Sequence, residues 1–204
     1  MGASIMSSRR ATIGVFSCHP PPAMSTPSSR DLLVITASGD DQVGLVQRFT
    51  ARISESGCNI EDSRMALLGG QFAIIMLVSG RWDALTKLED RLVPLGEELG
   101  LAILHKRTRE ADRSQPLIPY HIEVVAMDHP GIVHNLADFF SRQNINIEEL
   151  ATDTYPAPHT GTPMFRVDMV VGIPAGVHLP TLRGDFFDYC DNLNLDAIFE
   201  PARG

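Results

Sequence analysis

Apolar residues along this chain have first the spacing of a β-strand and then the spacing of an α-helix, and this succession occurs twice. A β-rich run at 32–37 precedes a helix-like segment, and a similar run at 122–127 precedes another. The apolar positions i, i+1, i+4 and i+8 recur in both segments, at Leu45, Val46, Phe49 and Ile53 and at Ile132, Val133, Leu136 and Phe140. Because this stripe is one face of an amphipathic helix, each segment is predicted to be a strand followed by a helix.

The two segments are copies of one unit. Residues 41–61 align without gaps with residues 128–148, and 7 of the 21 positions are identical. The identical pairs are Asp41/Asp128, Gly44/Gly131, Val46/Val133, Ser54/Ser141, Asn59/Asn146, Ile60/Ile147 and Glu61/Glu148. Identity at this level, together with matched apolar spacing, indicates an internal duplication. The first helices are predicted to end near Gly57 and Asn144, residue types that tolerate a left-handed conformation.

Each copy continues with a strand, a second strand, a helix and a last strand. In the first copy these are a strand to about Leu68, a Gly69-Gly70 turn, a strand at 71–79, a helix at 82–99 that Pro94 kinks or divides, and a strand at 101–106. In the second copy they are a strand from Asn146, a loop at 156–163, a strand at 164–171, a helix at 179–192 and a strand at 195–199. The order βαββαβ predicts an α+β fold of two tandem ferredoxin-like domains, each an antiparallel four-stranded sheet with two helices on one face.

These elements set the expected domain organisation. Residues 31–107 and 118–200 are predicted to be the two domains, joined by a linker at 108–117. Residues 1–30 are rich in Ser, Pro, Ala and Met and are predicted to be a disordered tail. An export signal, an organelle transit peptide or a true start at Met24 remain alternatives for this segment.

The two third strands differ in their open faces. In the second copy polar and apolar residues alternate, which is typical of a sheet with one face in solvent. In the first copy both faces are apolar, with Phe72, Ile74, Met76 and Val78 on one side and Ala73, Ile75 and Leu77 on the other. Since helices cover only one face, we expect another sheet to bury the open one, within the chain or across a homodimer.

Charge and cysteine content narrow the function classes. The chain has 17 basic and 25 acidic residues, and the first thirty contain Arg9, Arg10 and Arg30 but no acid, so residues 31–204 have a net charge of −11. This charge disfavours binding to nucleic acid. No apolar run has the length of a membrane span. Three scattered cysteines predict no zinc site and indicate a reducing compartment, the cytoplasm, with Cys58 and Cys190 as small buried hydrophobes.

A D-x-x-G turn follows the first strand of each copy, at Asp41–Gly44 and Asp128–Gly131. The glycine lets a ligand approach the backbone, and the first N–H groups of the following helix attract an anion. The aspartate either caps the helix or holds an ammonium group. The turn therefore suits a zwitterion such as an amino acid, unless Asp41 is only a cap and Gly44 only a turn residue.

The order strand, D-x-x-G-[Leu/Ile]-Val, helix and Asn-Ile-Glu resembles an ACT domain, the amino-acid-sensing module. The segments GCNIEDSRMALLGGQFAIIMLVSGRW (57–82) and LAILHKRT (101–108) resemble the glycine cleavage system transcriptional repressor family. The resemblance implies a non-catalytic tandem ACT protein with no cofactor or metal. It also implies a repressor that contacts a LysR-type activator protein rather than DNA, with glycine opposing that contact.

The resemblance further implies where the effector binds. In ACT domains the site lies at a domain–domain interface, between the loop before the first helix and the start of the second strand. By position this implicates Asp41, Gln42, Val43, Gly44, Leu45, Asn59 and Ile60 in the first copy and Asp128, His129, Pro130, Gly131, Ile132, Asn146 and Ile147 in the second. Val43 stands where the second copy has Pro130, so which copy binds is left open.

Two other function classes compete with this prediction. The chain is alternatively a regulatory subunit or an ACT-only relative of formyltetrahydrofolate deformylase or of another enzyme of amino-acid or one-carbon metabolism. However, no motif for a nucleophile and its base, or for a phosphate loop, occurs in the sequence. An RNA-binding module would need exposed aromatic side chains and positive charge, and Ala73, Ile75 and Leu77 provide neither.

Overall fold

The computed structural model describes residues 31–109 and 116–202. The chain divides into two compact units that meet in sequence at residues 111 and 112. The first unit contains β1 (Asp31–Asp40), α1 (Leu45–Glu55), β2 (Asn59–Leu68), β3 (Gln71–Gly80), α2 (Trp82–Leu99) and β4 (Leu101–Thr108). The second contains β5 (Leu117–Met127), α3 (Ile132–Arg142), β6 (Asn146–Pro156), β7 (Pro163–Pro174), α4 (Leu179–Asn192) and β8 (Asp196–Pro201).

Each unit has one antiparallel four-stranded sheet with two helices. The strand orders are β2-β3-β1-β4 and β6-β7-β5-β8, so the second unit has the same topology as the first, in agreement with the sequence repeat. This confirms the predicted pair of ferredoxin-like βαββαβ folds. The predicted limits of the domains and the linker stay predictions, and the proposed tail at 1–30, its alternatives and most of the linker fall outside the described residues.

The apolar stripes of the helices form the cores. In the first unit Leu45, Phe49 and Ile53 of α1 are buried together with Ile35 and Met76 of the sheet. The second core is more aromatic, and Phe186 of α4 lies 5.3 Å from Phe140 and 5.6 Å from Phe199 between ring centroids. The helical period seen in the sequence therefore marks the residues that join each helix to its sheet.

The first helix of each unit ends where the sequence predicts, but α2 is not divided at Pro94 as one prediction had it. Gly57 and Asn144 follow α1 and α3 with φ of 78° and 56°, the expected left-handed conformation. Helix α2 runs without a break from Trp82 to Leu99, so of the two predicted effects of Pro94 an end of the first half is wrong, and a kink stays a prediction. Pro94 is exposed, so the carbonyl that loses its hydrogen bond lies on the solvent side, while Leu92 and Leu95 stay packed in the core.

The open face of the first sheet is exposed in the single chain. Ile75 is 48% exposed and Leu104 on the neighbouring β4 is 75% exposed. The expectation that another sheet buries this face therefore stays a prediction.

Candidate functional site

The turn between β1 and α1 presents backbone to solvent. Gly44 has φ 88°, which favours glycine, and a Cβ built on it would meet no atom within 4 Å. Val43 beside it is fully exposed, whereas Leu45 is buried and fixes the start of α1 in the core. The space above Gly44 is thus open, and a ligand can approach the main chain there.

The aspartate of this turn does not cap the helix. Gly44 is the N-terminal cap of α1, and no side chain makes a capping hydrogen bond. The backbone N–H of Asp41 donates to the carbonyl oxygen of Gly70 at 3.2 Å, which ties the turn to the β2–β3 hairpin, and the Asp41 side chain is exposed. The simple interpretation of Asp41 as a cap therefore fails, and its carboxylate is left next to an uncapped helix start.

The second unit repeats the turn. Gly131 has φ 100° and is the N-terminal cap of α3, again without a side-chain capping bond. The Asp128 N–H donates to the carbonyl oxygen of Pro163 at 3.0 Å, and His129 Nδ1 lies 3.1 Å from the carbonyl oxygen of Pro130. An open groove of about 460 Å³ surrounds this turn, lined by residues 128–134 and Phe165.

The chemistry of both turns is that of a zwitterion site. Each turn offers a carboxylate, Asp41 or Asp128, and backbone N–H groups in the first turn of a helix, which favour a carboxylate ligand. In α1 the N–H of Leu45 is already used, because it donates to the carbonyl oxygen of Gln42 at 3.3 Å. In the parts of the chain that the structure describes, no group of three His, Cys, Asp or Glu side chains is placed to hold a metal ion. This arrangement can therefore bind a polar ligand through charge and through backbone hydrogen bonds.

The other predicted residues lie at the opposite end of each sheet. Asn59 pairs with Ser79, which pairs with Leu32 at the start of β1, eight residues from Asp40 at its end. At about 3.4 Å per residue this separates Asn59 from the turn by about 27 Å. Asn146 is placed in the same way, since it pairs with Gly172 and so with Pro119. One domain therefore brings 41–45 together, and 128–132 together, but neither with the start of its own next strand.

A second groove marks the start of the second strand in each unit. It holds about 440 Å³ beside Asn59 and Ile60 and about 350 Å³ beside Asn146 and Ile147. The sequence prediction did not include three residues of the turn groove, Val133, His134 and Phe165. Val133 and His134 simply continue α3, whereas Phe165 lies on β7 and pairs with Ala126 next to the turn. The signal was the loop at 156–163, because the strand after it must return alongside β5 and so meets the D-x-x-G turn.

Comparison with known proteins adds to this geometry. The family model of the ACT domain matches residues 31–106. The glycine cleavage system transcriptional repressor of Escherichia coli (strain K12) is 37% identical over 169 residues, which cover 83% of this chain and 89% of the relative. A solved protein of Galdieria sulphuraria of unknown function is 28% identical with a TM-score of 0.69, over 85% of this chain and 99% of that one.

A second solved structure, provisionally named glycine cleavage system transcriptional repressor, is 26% identical with a TM-score of 0.67, over 86% of this chain and 99% of that one. The repeated fold and these similarities define a tandem ACT-domain protein. The identity along most of both chains goes further, and the chain belongs to the glycine cleavage system transcriptional repressor family. It is a regulatory ACT protein. Within the described residues no helix is both long and apolar enough to cross a membrane.

Proposed function

We propose that this protein is a non-catalytic transcriptional repressor that senses a small amino acid, glycine in the first instance, and acts by contact with a LysR-type activator protein. The observation that carries the proposal is the doubled turn, in which an uncapped helix N-terminus stands next to a free carboxylate at Asp41 and again at Asp128. Membership of the repressor family supports the regulatory part of the proposal.

The turn explains why a small zwitterion fits. The ligand carboxylate accepts hydrogen bonds from N–H groups in the first turn of α3, or from those of α1 other than the N–H of Leu45, and its ammonium group is paired with Asp41 or Asp128. The open space above Gly44 and Gly131 lets the ligand reach the backbone. Asn59, Ile60, Asn146 and Ile147 lie too far from the turn of their own domain to contact the same small ligand.

Charge supports action through a protein partner. Residues 31–204 have a net charge of −11, and phosphate backbones repel such a surface. A repressor of this charge reaches a promoter through a DNA-binding protein. In this proposal glycine bound at the turns weakens that contact, and thermodynamic linkage then requires the activator to lower the affinity for glycine by the same factor.

Calorimetry with glycine and serine tests amino-acid binding. We expect saturable heat with at least one of them for the wild-type protein and a loss of affinity of at least tenfold in Asp41→Asn, Asp128→Asn or both. Asp185→Asn is the matched control, because Asp185 is an exposed aspartate of α4. Wild-type binding that neither turn variant reduces would place the site elsewhere, and no heat with any amino acid would refute sensing.

Co-purification tests the partner. The tagged full chain is mixed with a LysR-type activator from the same organism, and the activator is expected on the affinity resin in the absence of glycine. The control is the same activator on resin without the tagged chain. Absence of the activator at micromolar concentrations of both proteins would contradict the partner assignment while leaving amino-acid binding intact.

A further inference from the structure

The two D-x-x-G turns differ in the exposure of one aromatic ring. Phe72 of β3 pairs with Gly39, two residues before the aspartate of the first turn. Phe165 of β7 pairs with Ala126, two residues before the aspartate of the second turn, so the two rings hold the same place in the two domains. Phe72 is 2% exposed, whereas Phe165 is only partly buried and lines the groove at the second turn. The second turn therefore presents an aromatic surface to a ligand.

The neighbours of the two rings explain this difference. On the adjacent strand the partner of the first ring is Leu67, and the partner of the second ring is the smaller and polar Thr154. In the first helix of each unit, Phe49 of the first core stands where the second core has Leu136. Each difference leaves fewer apolar atoms to cover the ring in the second domain, so the ring of Phe165 stays partly open.

The second turn also has one more backbone donor to offer. The N–H of Leu45, the first residue of α1, donates to the carbonyl oxygen of Gln42. Within the described ranges, the N–H of Ile132, its counterpart in α3, makes no hydrogen bond to the backbone. The third position of this turn is Pro130, where the first turn has Val43, and proline reduces the conformational entropy that a loop loses when a ligand binds. The second turn is thus the better preorganised of the two.

We infer that Phe165 and Val133 form a subsite for the ligand side chain, so that the second domain binds an amino acid with an apolar side chain, such as valine, more tightly than glycine. The inference rests on the proposed function, because it takes the ligand carboxylate to lie at the N–H groups of α3 and the ammonium group at Asp128. The groove of about 460 Å³ has room for more than glycine. A side chain that packs on Phe165 loses contact with water and gains apolar contact.

The two histidines of the groove do not favour a polar side chain over an apolar one. His129 Nδ1 already lies 3.1 Å from the carbonyl oxygen of Pro130, and His134 is exposed. A polar ligand group at such positions exchanges hydrogen bonds with water for similar bonds with protein, so its net gain is small. An acidic side chain would in addition be repelled by the carboxylate of Asp128. Apolar contact with Phe165 is the gain that glycine lacks.

Calorimetry of the full chain with valine and with glycine tests the inference. We expect wild type to bind valine about tenfold or more tighter than glycine, and we expect this ratio to fall to about twofold or less in Phe165→Ala, because the apolar wall is lost. The Kd for glycine should stay within about threefold of its wild-type value in that variant, which also shows that the turn is still folded. Phe165→Leu disturbs the packing less and is expected to keep a ratio between about twofold and tenfold.

Met164→Ala is the matched control. Met164 is the neighbour of Phe165 on β7 and is also partly buried, but its side chain lies on the opposite face of the strand, so the ratio should keep its wild-type value. Equal Kd values for valine and glycine in wild type, or a preference for valine that Phe165→Ala retains, would overturn the inference and leave amino-acid sensing intact. No heat with any amino acid would instead refute the proposed function and the inference with it.

Discussion

Arg107 of β4 holds Glu89 of α2 through two hydrogen bonds, with its Nε 3.0 Å from Oε1 and its Nη2 2.8 Å from Oε2 of the carboxylate. The guanidinium group also donates to the Thr86 hydroxyl at 2.7 Å and lies 5.5 Å from the ring centroid of Trp82. This cluster joins the last strand of the first sheet to the helix that covers it. It stands at the end of the first ACT domain, next to the predicted linker.

Glu89→Gln is expected to destabilise the protein by about 1 kcal/mol, because a paired, partly buried carboxylate is replaced by a neutral amide. Chemical denaturation of the two proteins at neutral pH measures the difference. Asp83→Asn is the matched control, since the Arg81–Asp83 pair at 3.1 Å is mostly exposed and contributes little. Equal losses in the two variants would show that the Arg107–Glu89 pair adds nothing beyond a surface pair.

The same pair makes stability depend on pH. The hydrogen bonds from Arg107 hold the pKa of Glu89 below its ordinary value of 4.5. A lowered carboxyl pKa stabilises the folded state above the ordinary value, and the contribution is lost as pH falls through the lowered pKa. The stability difference between wild type and Glu89→Gln is therefore expected to be constant from pH 6 to pH 7 and to shrink below about pH 4. A difference that grows on acidification would contradict this assignment.

Two glycines are expected to respond in opposite ways to alanine. A Cβ on Gly39 would lie 2.6 Å from the carbonyl oxygen of Gly100, where backbone must shift, so Gly39→Ala should lose about 2 kcal/mol or more. A Cβ on Gly184, inside α4, meets nothing within 4 Å, so Gly184→Ala should gain about 0.5–1 kcal/mol through helix propensity. Thermal unfolding of both variants measures this, and a neutral Gly39→Ala would show that β1 and β4 are less tightly joined than described.

The two described cysteines are expected to differ in reactivity. Burial raises the pKa of Cys190 to about 12, and its side chain is 1% exposed. Burial also raises the pKa of Cys58, but that thiol is only half-buried, so the prediction that both are buried holds for Cys190 alone. In a Cys18→Ser background at pH 7.5, a thiol reagent should modify Cys58 at least ten times faster than Cys190. Peptide mapping after timed labelling reads the two rates, and similar rates would contradict the buried position of Cys190.

The fold was predictable because the chain contains two copies of the same unit. Each ambiguous element of one copy could be compared with its counterpart, and helices such as Trp82–Leu99 and Leu179–Asn192 were predicted at the limits that the structure shows. The strands extend further than predicted, for example Asp31–Asp40 against 32–37, because backbone pairing continues past the apolar run. Pro94 is an exception to the rule that proline ends a helix, because it lies on the solvent side of α2 and the helix continues past it.

The site was predictable only in part. The turn residues 41–45 and 128–132 are contiguous, so their proximity follows from the chain itself. The positions of Asn59 and Asn146 depend on the end of the sheet at which the second strand starts. The ladders place both residues at the end far from the turn. The helix of 11 residues between the two segments is the signal in the sequence, because it spans about 16 Å and carries the chain away from the turn, toward the opposite end of the sheet.

The central claim is that an amino acid held by the D-x-x-G turns controls contact with an activator protein. Its most direct test is the Kd of the full chain for the LysR-type activator, measured at increasing glycine concentration. We expect saturating glycine to raise this Kd at least tenfold, and we expect Asp41→Asn with Asp128→Asn to abolish that effect while the Kd without glycine stays unchanged. A Kd that is the same with and without glycine would contradict the account.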